Sequence, residues 1–511
     1  MQSRIVAATR GARLAKKVGT AVAFTLVVGV GGCASFSPDQ GMGAVQDVAT
    51  ASLGKDVVKI RNEEDAENVR ARVKALLARP LTANAAVQIA LLNNRGLQAA
   101  LYELGVSEAQ VVEASLPPSP TLSLSRMVVP GAVLEIERQI LQNILGLLTL
   151  PRRREIAEDR FEQAKLRAAE AVLRLAANTR RAYYNAVGAG QTVIFLKRAQ
   201  VAAESLSDLA KKLGESGAMG KLSQARQHAF YVEVTRQIAV ARLKHRGDRD
   251  RLARLMGLWG SDLAFKLPDA LPRLPRYARR LDAVEKDAVA SRIDLRIARA
   301  ELEILAKSYG LTRATRFINV LELRGISKTE WRRVIETDYE LTGGPSPTLI
   351  KTETPATEKE RWHGVELEFQ IPIYDFGEAR TRGARESYLM AANKLADLAI
   401  NVRGQAREAY QAYRGAYDIA GIYSSKLLPL RNVISEEMLL QYNGMLADLF
   451  ELIQDSRARI QSNVEAIGAE RDFWVAAVEL DAAILGGGGA SPDVGGGAAG
   501  SATPDGGGGG H

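Results

Sequence analysis

Residues 152–213 read RRREIAEDRFEQAKLRAAEAVLRLAANTRRAYYNAVGAGQTVIFLKRAQVAAESLSDLAKKL. No proline interrupts this stretch, nor any position between Pro151 and Pro268. Ala, Leu, Glu, Arg, Lys and Gln dominate it, and these residue types favour helix. The pattern predicts one continuous helix. About 60 residues at 1.5 Å each make a rod of roughly 90 Å; ordinary globular helices run about 10–14 residues. Such a rod cannot be the core of a compact domain. It must lie against other rods, as in a coiled coil or a barrel of helices.

Working outward, a return helix is predicted from about Leu222 to Leu255. A second proline-free window, between Pro372 and Pro429, predicts about Glu378–Leu427, followed by about Leu449–Leu485. The two sets are copies. Arg95-Gly96-Leu97-Gln98-Ala99 matches Asp294-Leu295-Arg296-Ile297-Ala298, with an offset of 198 between Leu97 and Leu295. Arg180-Arg181-Ala182-Tyr183-Tyr184 matches Arg407-Glu408-Ala409-Tyr410-Gln411, and the stretch from Gly217 to Leu222 matches that from Gly444 to Leu449, both at 227. The offset grows, so the second copy holds an insertion. Residues 326–363, with Gly343, Gly344, Pro345, Pro347 and Pro355, are its natural place and are expected to form a long loop. Internal duplication is the signature of a repeated structural unit. Each copy is expected to contain a helical segment (about Ala83–Glu113, then about Arg280–Leu311), a strand pair and two long helices.

The clearest strand is Val365–Ile373. Val365, Leu367, Phe369, Ile371 and Ile373 share one face, and Glu366, Glu368 and Gln370 the other, the period of a sheet with one apolar side. Its partner is expected near Arg316–Arg324. Thr121–Met127 and Val133–Ile140 play these roles in the first copy. Four strands cannot close a barrel, and an open sheet in lipid leaves backbone groups unpaired. A sheet of this kind in a membrane must close through oligomerisation; three copies give twelve strands.

The N-terminus carries Arg4, Arg10, Arg13, Lys16 and Lys17, then an apolar run from Val18 to Gly32, which reads as an export signal. It ends at Val30-Gly31-Gly32-Cys33, similar to the lipobox of bacterial lipoproteins with Val30 in place of the usual Leu. Cys33 is the only cysteine, so no internal disulfide forms, and the lipobox resemblance makes it the acylation site. The residues after it, Ala34 and Ser35, include no Asp, which favours the outer membrane. The formal charge of +9 falls to about +4 without the five signal cations, and bases alternate with acids, so nucleic acid is not an expected partner. No later window is long and apolar enough for a membrane helix. The Gly-rich tail from 486 to 511 is expected to be disordered.

No site for catalysis or cofactors emerges. His228, His245, His363 and His511 are not spaced as metal ligands, and no nucleophile elbow, phosphate loop or dinucleotide fingerprint occurs. Met219 and Met445, near the helix turns, are read as apolar tip contacts. The expected architecture is mainly α with a small β part. Segments 1–32 (signal), 33–74, 75–275 (first repeat), 276–485 (second repeat) and 486–511 (tail) make up the chain.

In its duplication, strand pairs, long helical hairpins and lipobox, the sequence resembles the TolC family of outer-membrane efflux factors over roughly residues 75–485. The string Ile371-Pro-Ile-Tyr-Asp-Phe-Gly-Glu-Ala-Arg380 is similar to that family's strand-to-helix junction, and Tyr442–Leu452 to its second hairpin tip. The resemblance implies a homotrimer, a twelve-stranded transmembrane β-barrel continued by an α-helical barrel, a periplasmic adaptor (membrane fusion) protein and an inner-membrane pump. It makes the turns at Gly217, Leu222, Gly444 and Leu449 the periplasmic tips that meet the adaptor. Both glycines are expected to supply positive φ. Asp448 and Glu451, expected on one helical face, become candidate gate carboxylates. In the family the usual gate acids lie slightly further along, where this chain has Ile453 and Gln454. The rival reading is a lipid-anchored periplasmic coiled-coil scaffold without a pore.

Overall fold

The computed structural model describes residues 36–129, 133–341, 343–344 and 347–486. The export signal, Cys33 and the tail beyond Gly486 lie outside the described residues. The chain forms two compact units. The first contains Gly105–Phe161 and Glu303–Leu389, with the start of the described chain up to Gly41; the second contains Met42–Leu104, Glu162–Leu302 and the chain from Met390 onward.

In chain order the elements are α1 (Met42–Leu53), α2 (Glu63–Leu77), α3 (Ala83–Asn93), α4 (Arg95–Ser115), β1 (Thr121–Val129), β2 (Val133–Asn143), α5 (Ile144–Glu215) and α6 (Lys221–Leu255). The second copy follows: α7 (Val284–Ser291), α8 (Ile293–Ala314), β3 (Val320–Leu341), β4 (Leu349–Gln370), α9 (Glu378–Ile422), α10 (Leu428–Asn443) and α11 (Leu449–Leu485). Helix α5 is 72 residues long and includes Pro151 within its first turns. No helix among the described residues is long and apolar enough to cross a membrane.

The second long helix continues past its expected end at Leu427. A π-turn at Tyr423–Leu427 joins α9 to α10, which carries Pro429 near its start. Proline has no N–H to continue the ladder and its ring crowds the preceding turn. Widening the helix by one residue per turn absorbs both problems without ending it.

In the second unit the duplication extends to individual bonds. The helical segment breaks at Asn94 in the first copy and at Arg292 in the second, again 198 apart. Asn94 donates to the Leu255 carbonyl at the end of α6. Arg292, itself held by Asp294, donates to the Ala483 carbonyl near the end of α11. Each break thus satisfies carbonyls that a helix end leaves unpaired. Likewise Tyr183 donates to the Leu81 carbonyl at 3.0 Å, and Tyr410 accepts from the Leu281 amide at 3.4 Å. Burial pushes the Tyr183 phenol up to about 12, so it remains a donor at neutral pH. The largest core cluster of the second copy packs Tyr413, Phe473 and Leu480 with Val402 and Leu295. Phe473 lies 5.5 Å from the Tyr413 ring and 5.1 Å from that of Trp474.

The first unit is built on one antiparallel sheet in the order β1-β2-β3-β4. The β2–β3 pairing, from Val133 opposite Arg332 to Asn143 opposite Glu322, joins the two copies. Here the structure corrects the expectation of a loop over 326–363. Strands β3 and β4 are 22 residues each, against 9 and 11 for β1 and β2, and pair along their whole length from Val320–Gln370 to Leu341–Leu349. The insertion lengthens a hairpin. Its prolines misled: Pro355 sits within β4, an edge strand, where a missing N–H is tolerated. Beyond Arg332 the β3–β4 ribbon has no further partner strand among the described residues.

Candidate functional site

The features that bear on function are two helix turns in the second unit and the sheet of the first. At the first turn α5 ends at Glu215 and α6 begins at Lys221. Gly217 takes φ +76°, and its amide donates to the Gly214 carbonyl. Gly220 precedes α6 without a side-chain cap.

The second turn is built differently. Gly444 has φ −80°, an ordinary value, and Met445 takes the left-handed conformation at φ +60°. The Met445 amide donates to the Tyr442 carbonyl and the Leu446 amide to that of Gln441, the two bonds of a Schellman close. This corrects the expectation that Gly444 supplies positive φ. The residue equivalent to Gly217 is Met445, and the helices correspond at an offset of 228, Lys221 with Leu449. Matching glycine to glycine in sequence slipped the alignment by one residue.

The tip residues therefore divide. Leu222 projects from the second position of α6 and is exposed. Leu449, at the first position of α11, packs against the cluster of Leu196, Phe230 and Ile453. The most exposed apolar groups of the second tip are Met445, at 94%, and Leu446, at 82%. Leu446 escaped the sequence reading because it belongs to no periodic helix face.

Asp448 is the N-cap of α11, with extended backbone, so it precedes the helix that Glu451 belongs to. The Asp448 carboxylate accepts from the Glu451 amide at 2.8 Å, and the Glu451 carboxylate accepts from the Asp448 amide at 3.1 Å. This capping box satisfies two orphan donors and sets both charges at the positive end of the helix dipole. One turn on, Ile453 is buried and Gln454 is exposed. Asp455, missed in the sequence, is 9% exposed and accepts from the Ser435 hydroxyl of α10 at 2.6 Å. The available signal was its spacing of three from Leu452, which puts a carboxylate on the inward face.

The sheet has two chemically opposite faces, fixed by its register. One face carries every acidic residue of the four strands except Glu353, including Glu135, Glu137, Glu330, Glu366 and Glu368. Its few bases are paired: Arg324 with Glu366 and Glu368, Lys328 with Glu135, and Arg332 with Glu330. The opposite face carries Leu122, Leu124, Ile140, Leu323, Val365, Leu367 and Phe369, all exposed. Ile371 and Ile373 lie beyond the end of β4.

Past the strand, Pro372–Gly377 turns the chain into α9. Asp375 accepts from the Gly377 amide at 2.9 Å and the Ala379 amide at 3.3 Å, and these bonds hold its carboxyl below the usual carboxylate range. Phe376 and Gly377 both have positive φ. A Cβ on Gly377 would lie 2.2 Å from the Arg316 carbonyl oxygen, so only glycine fits. The first-copy junction needs no such turn: β2 runs directly into α5, with Asn143 accepting from the Gly146 amide at 2.6 Å.

Neither a protein-family model nor a curated protein sequence matches the chain. Solved structures do. The Campylobacter jejuni CmeC outer membrane channel aligns with a TM-score of 0.64 at 16% identity, covering 87% of this chain and 92% of that one. The Vibrio cholerae outer membrane protein VceC aligns at 0.62 and 12%, covering 80% and 97%. The open-state Neisseria gonorrhoeae MtrE outer membrane channel aligns at 0.58 and 16%, covering 81% and 89%. At these identities the likeness is one of fold, and the chain has the fold of these outer-membrane channels.

Proposed function

We propose that the chain is the outer-membrane channel of a tripartite efflux or type I secretion assembly, anchored by an acylated Cys33 and working as a homotrimer. The observation that carries this reading is the two-faced sheet with two open edges. Among the described residues, strands β1 and β4 each have one neighbour. Three sheets joined β4 to β1 close a twelve-stranded barrel, the apolar face outward to lipid and the acidic face inward to water. The β4 edge is blunted by Pro355, which lies beyond the level that β1 reaches, so the proline guards the free ribbon and leaves the joining segment clear.

By the resemblance to outer-membrane efflux factors, the two helix turns are the periplasmic mouth. Leu222, Met445 and Leu446 offer apolar groups to a periplasmic adaptor, beside Gly217, Gly444 and Leu449, which shape the turns. Asp448 and Glu451 bring carboxylates to that mouth, where three copies favour cations. The chain needs no catalytic group or cofactor for passive conduction; an inner-membrane pump supplies the work.

Purified protein in planar bilayers tests the reading. The expected result is a trimer that conducts ions, with the Asp448→Ala/Glu451→Ala pair raising leak conductance and antibiotic sensitivity. A monomeric protein with no conductance, even after the tips are cut back, favours the lipid-anchored scaffold. Unchanged conductance in the double variant removes the two acids from the gate.

A further inference from the structure

The outward face of the sheet is not uniformly apolar, and its departure from uniformity is directional. Toward the helices it is apolar: Leu323 and Leu367 share one cross-strand row, and Ile140 and Val365 the next. Toward the hairpin ends it becomes basic. Successive rows, each two residues or roughly 7 Å further along the strands, bring in Arg138 and His363, then Arg126 and Arg361, then Lys359, then Arg333. No acid shares this part of the face; the first is Glu353, which Lys351 pairs. Arg126, Arg138, Arg333 and Arg361 make no ion pair among the described residues. Lys359 lies 5.0 Å from the centre of the Trp331 ring, its cross-strand neighbour. On the other face at the same level every base has a carboxylate partner.

Unpaired cations on a lipid-facing surface are strongly disfavoured at the bilayer midplane and nearly free at the interface. Bases without acids, beside the half-buried Trp331, match an anionic headgroup layer in charge and in the amphipathic character that such a layer favours in its aromatic residues. We infer that this basic strip binds the phosphate groups of membrane lipids in the leaflet remote from the helices, with Arg126, Arg138, Arg333, Lys359 and Arg361 as the donors. Arginine suits the task because its planar fork meets phosphate oxygens in pairs. The inference rests on the proposed barrel, since it needs this face to meet lipid.

The test uses the full chain reconstituted into phosphatidylcholine vesicles with and without lipid A as the phosphate-bearing component. Insertion is scored first by conductance, then retained lipid by native mass spectrometry. Inserted wild-type protein is expected to retain lipid A over phosphatidylcholine by on the order of tenfold or more. That preference should weaken as salt is raised and be lost when the five bases are changed to Gln. Changing Arg324, Lys328 and Arg332 to Gln on the inner face should preserve it. Should the fivefold variant fail to fold, the Arg→Lys version of the strip must keep a salt-sensitive preference. Wild-type protein that inserts and conducts but retains both lipids equally overturns the strip and leaves the channel standing. A preference abolished by inorganic phosphate alone marks a general anion site and also overturns it. Failure to insert in either lipid overturns the channel reading itself, and the strip with it.

Discussion

The two copies of the repeat share one backbone path and reach it with different chemistry at equivalent places. In the second copy Phe473 of α11 packs on the Tyr413 ring. At the corresponding place in the first copy, His245 of α6 faces the Ala186 carbonyl at 3.2 Å. An aromatic pair buried on both sides stands where the other copy has a half-buried histidine on a backbone oxygen. The strand-to-helix junctions differ in the same way, a six-residue turn held by Asp375 against a direct passage held by Asn143. So do the tips, Gly217 against Met445. Duplication preserves the rods and the bonds at their breaks; at these three places the contacts have diverged. The second copy relies more on specific side chains, so it should be the more fragile under substitution.

Core truncation should expose the largest asymmetry. Phe473→Ala removes a ring that is 1% exposed and is expected to cost about 3–5 kcal/mol. His245→Ala loses at most one hydrogen bond at a half-buried site, about 1 kcal/mol. Thermal unfolding of the two variants in detergent, followed by circular dichroism, measures the difference. Equal costs would mean that the copies are energetically alike after all.

Next comes the junction. Gly377→Ala puts a Cβ against the Arg316 carbonyl at a backbone angle that alanine resists, for roughly 3 kcal/mol in total. No equivalent exists where β2 enters α5, because no residue there has positive φ. The expected signature is faster amide exchange in β4 and the start of α9, with β2 unaffected. A neutral Gly377→Ala would show that the turn can relax around the added carbon.

The tips should give smaller changes of opposite sign. Gly217→Ala forces a side chain into the left-handed region and is expected to cost about 1 kcal/mol. Met445→Gly relieves that strain while loosening the unfolded chain, for a net gain of about 0.5 kcal/mol. Exchange rates of the flanking amides, Gly214–Lys221 and Gln441–Leu449, report each change locally. A loss of stability in Met445→Gly would mean that its exposed side chain holds the tip by contacts within the chain.

These contrasts also explain what the sequence disclosed. The rods were legible because helix propensity sums over tens of residues and prolines mark their limits. The strand Val365–Gln370 was legible because its alternation is strict. The long hairpin was not, because its glycines and prolines signal turns locally while the pairing of β3 with β4 is decided across the strands. The continuation of α9 into α10 was hidden behind Pro429 for the same reason: a π-turn is a tertiary accommodation with no residue signature. The tip was misaligned by one residue because glycine is a habitual but not obligatory carrier of positive φ. The role of Asp448 and Glu451 as a mutual cap was present in the sequence, as Asp-x-x-Glu before an apolar run; the gate reading passed over it. Asp455 and the basic strip needed the register and the packing, which no single-strand pattern contains.

The smallest expected effect separates the junctions by pH. Two backbone amides hold the Asp375 carboxyl below the usual carboxylate range, so its ionised form favours the folded turn. A depressed folded value stabilises the turn above the unfolded carboxylate value, and the contribution fades as pH falls through the depressed one. Asn143, at the other junction, does not titrate in this range. As pH drops below about 4, exchange at the Gly377 and Ala379 amides, corrected for the intrinsic pH dependence, should accelerate, while the Gly146 amide stays protected. Asp375→Asn should flatten the response and keep part of the protection, since an amide oxygen still accepts. Parallel acceleration at both junctions would trace the pH effect to the sheet as a whole and take Asp375 out of it.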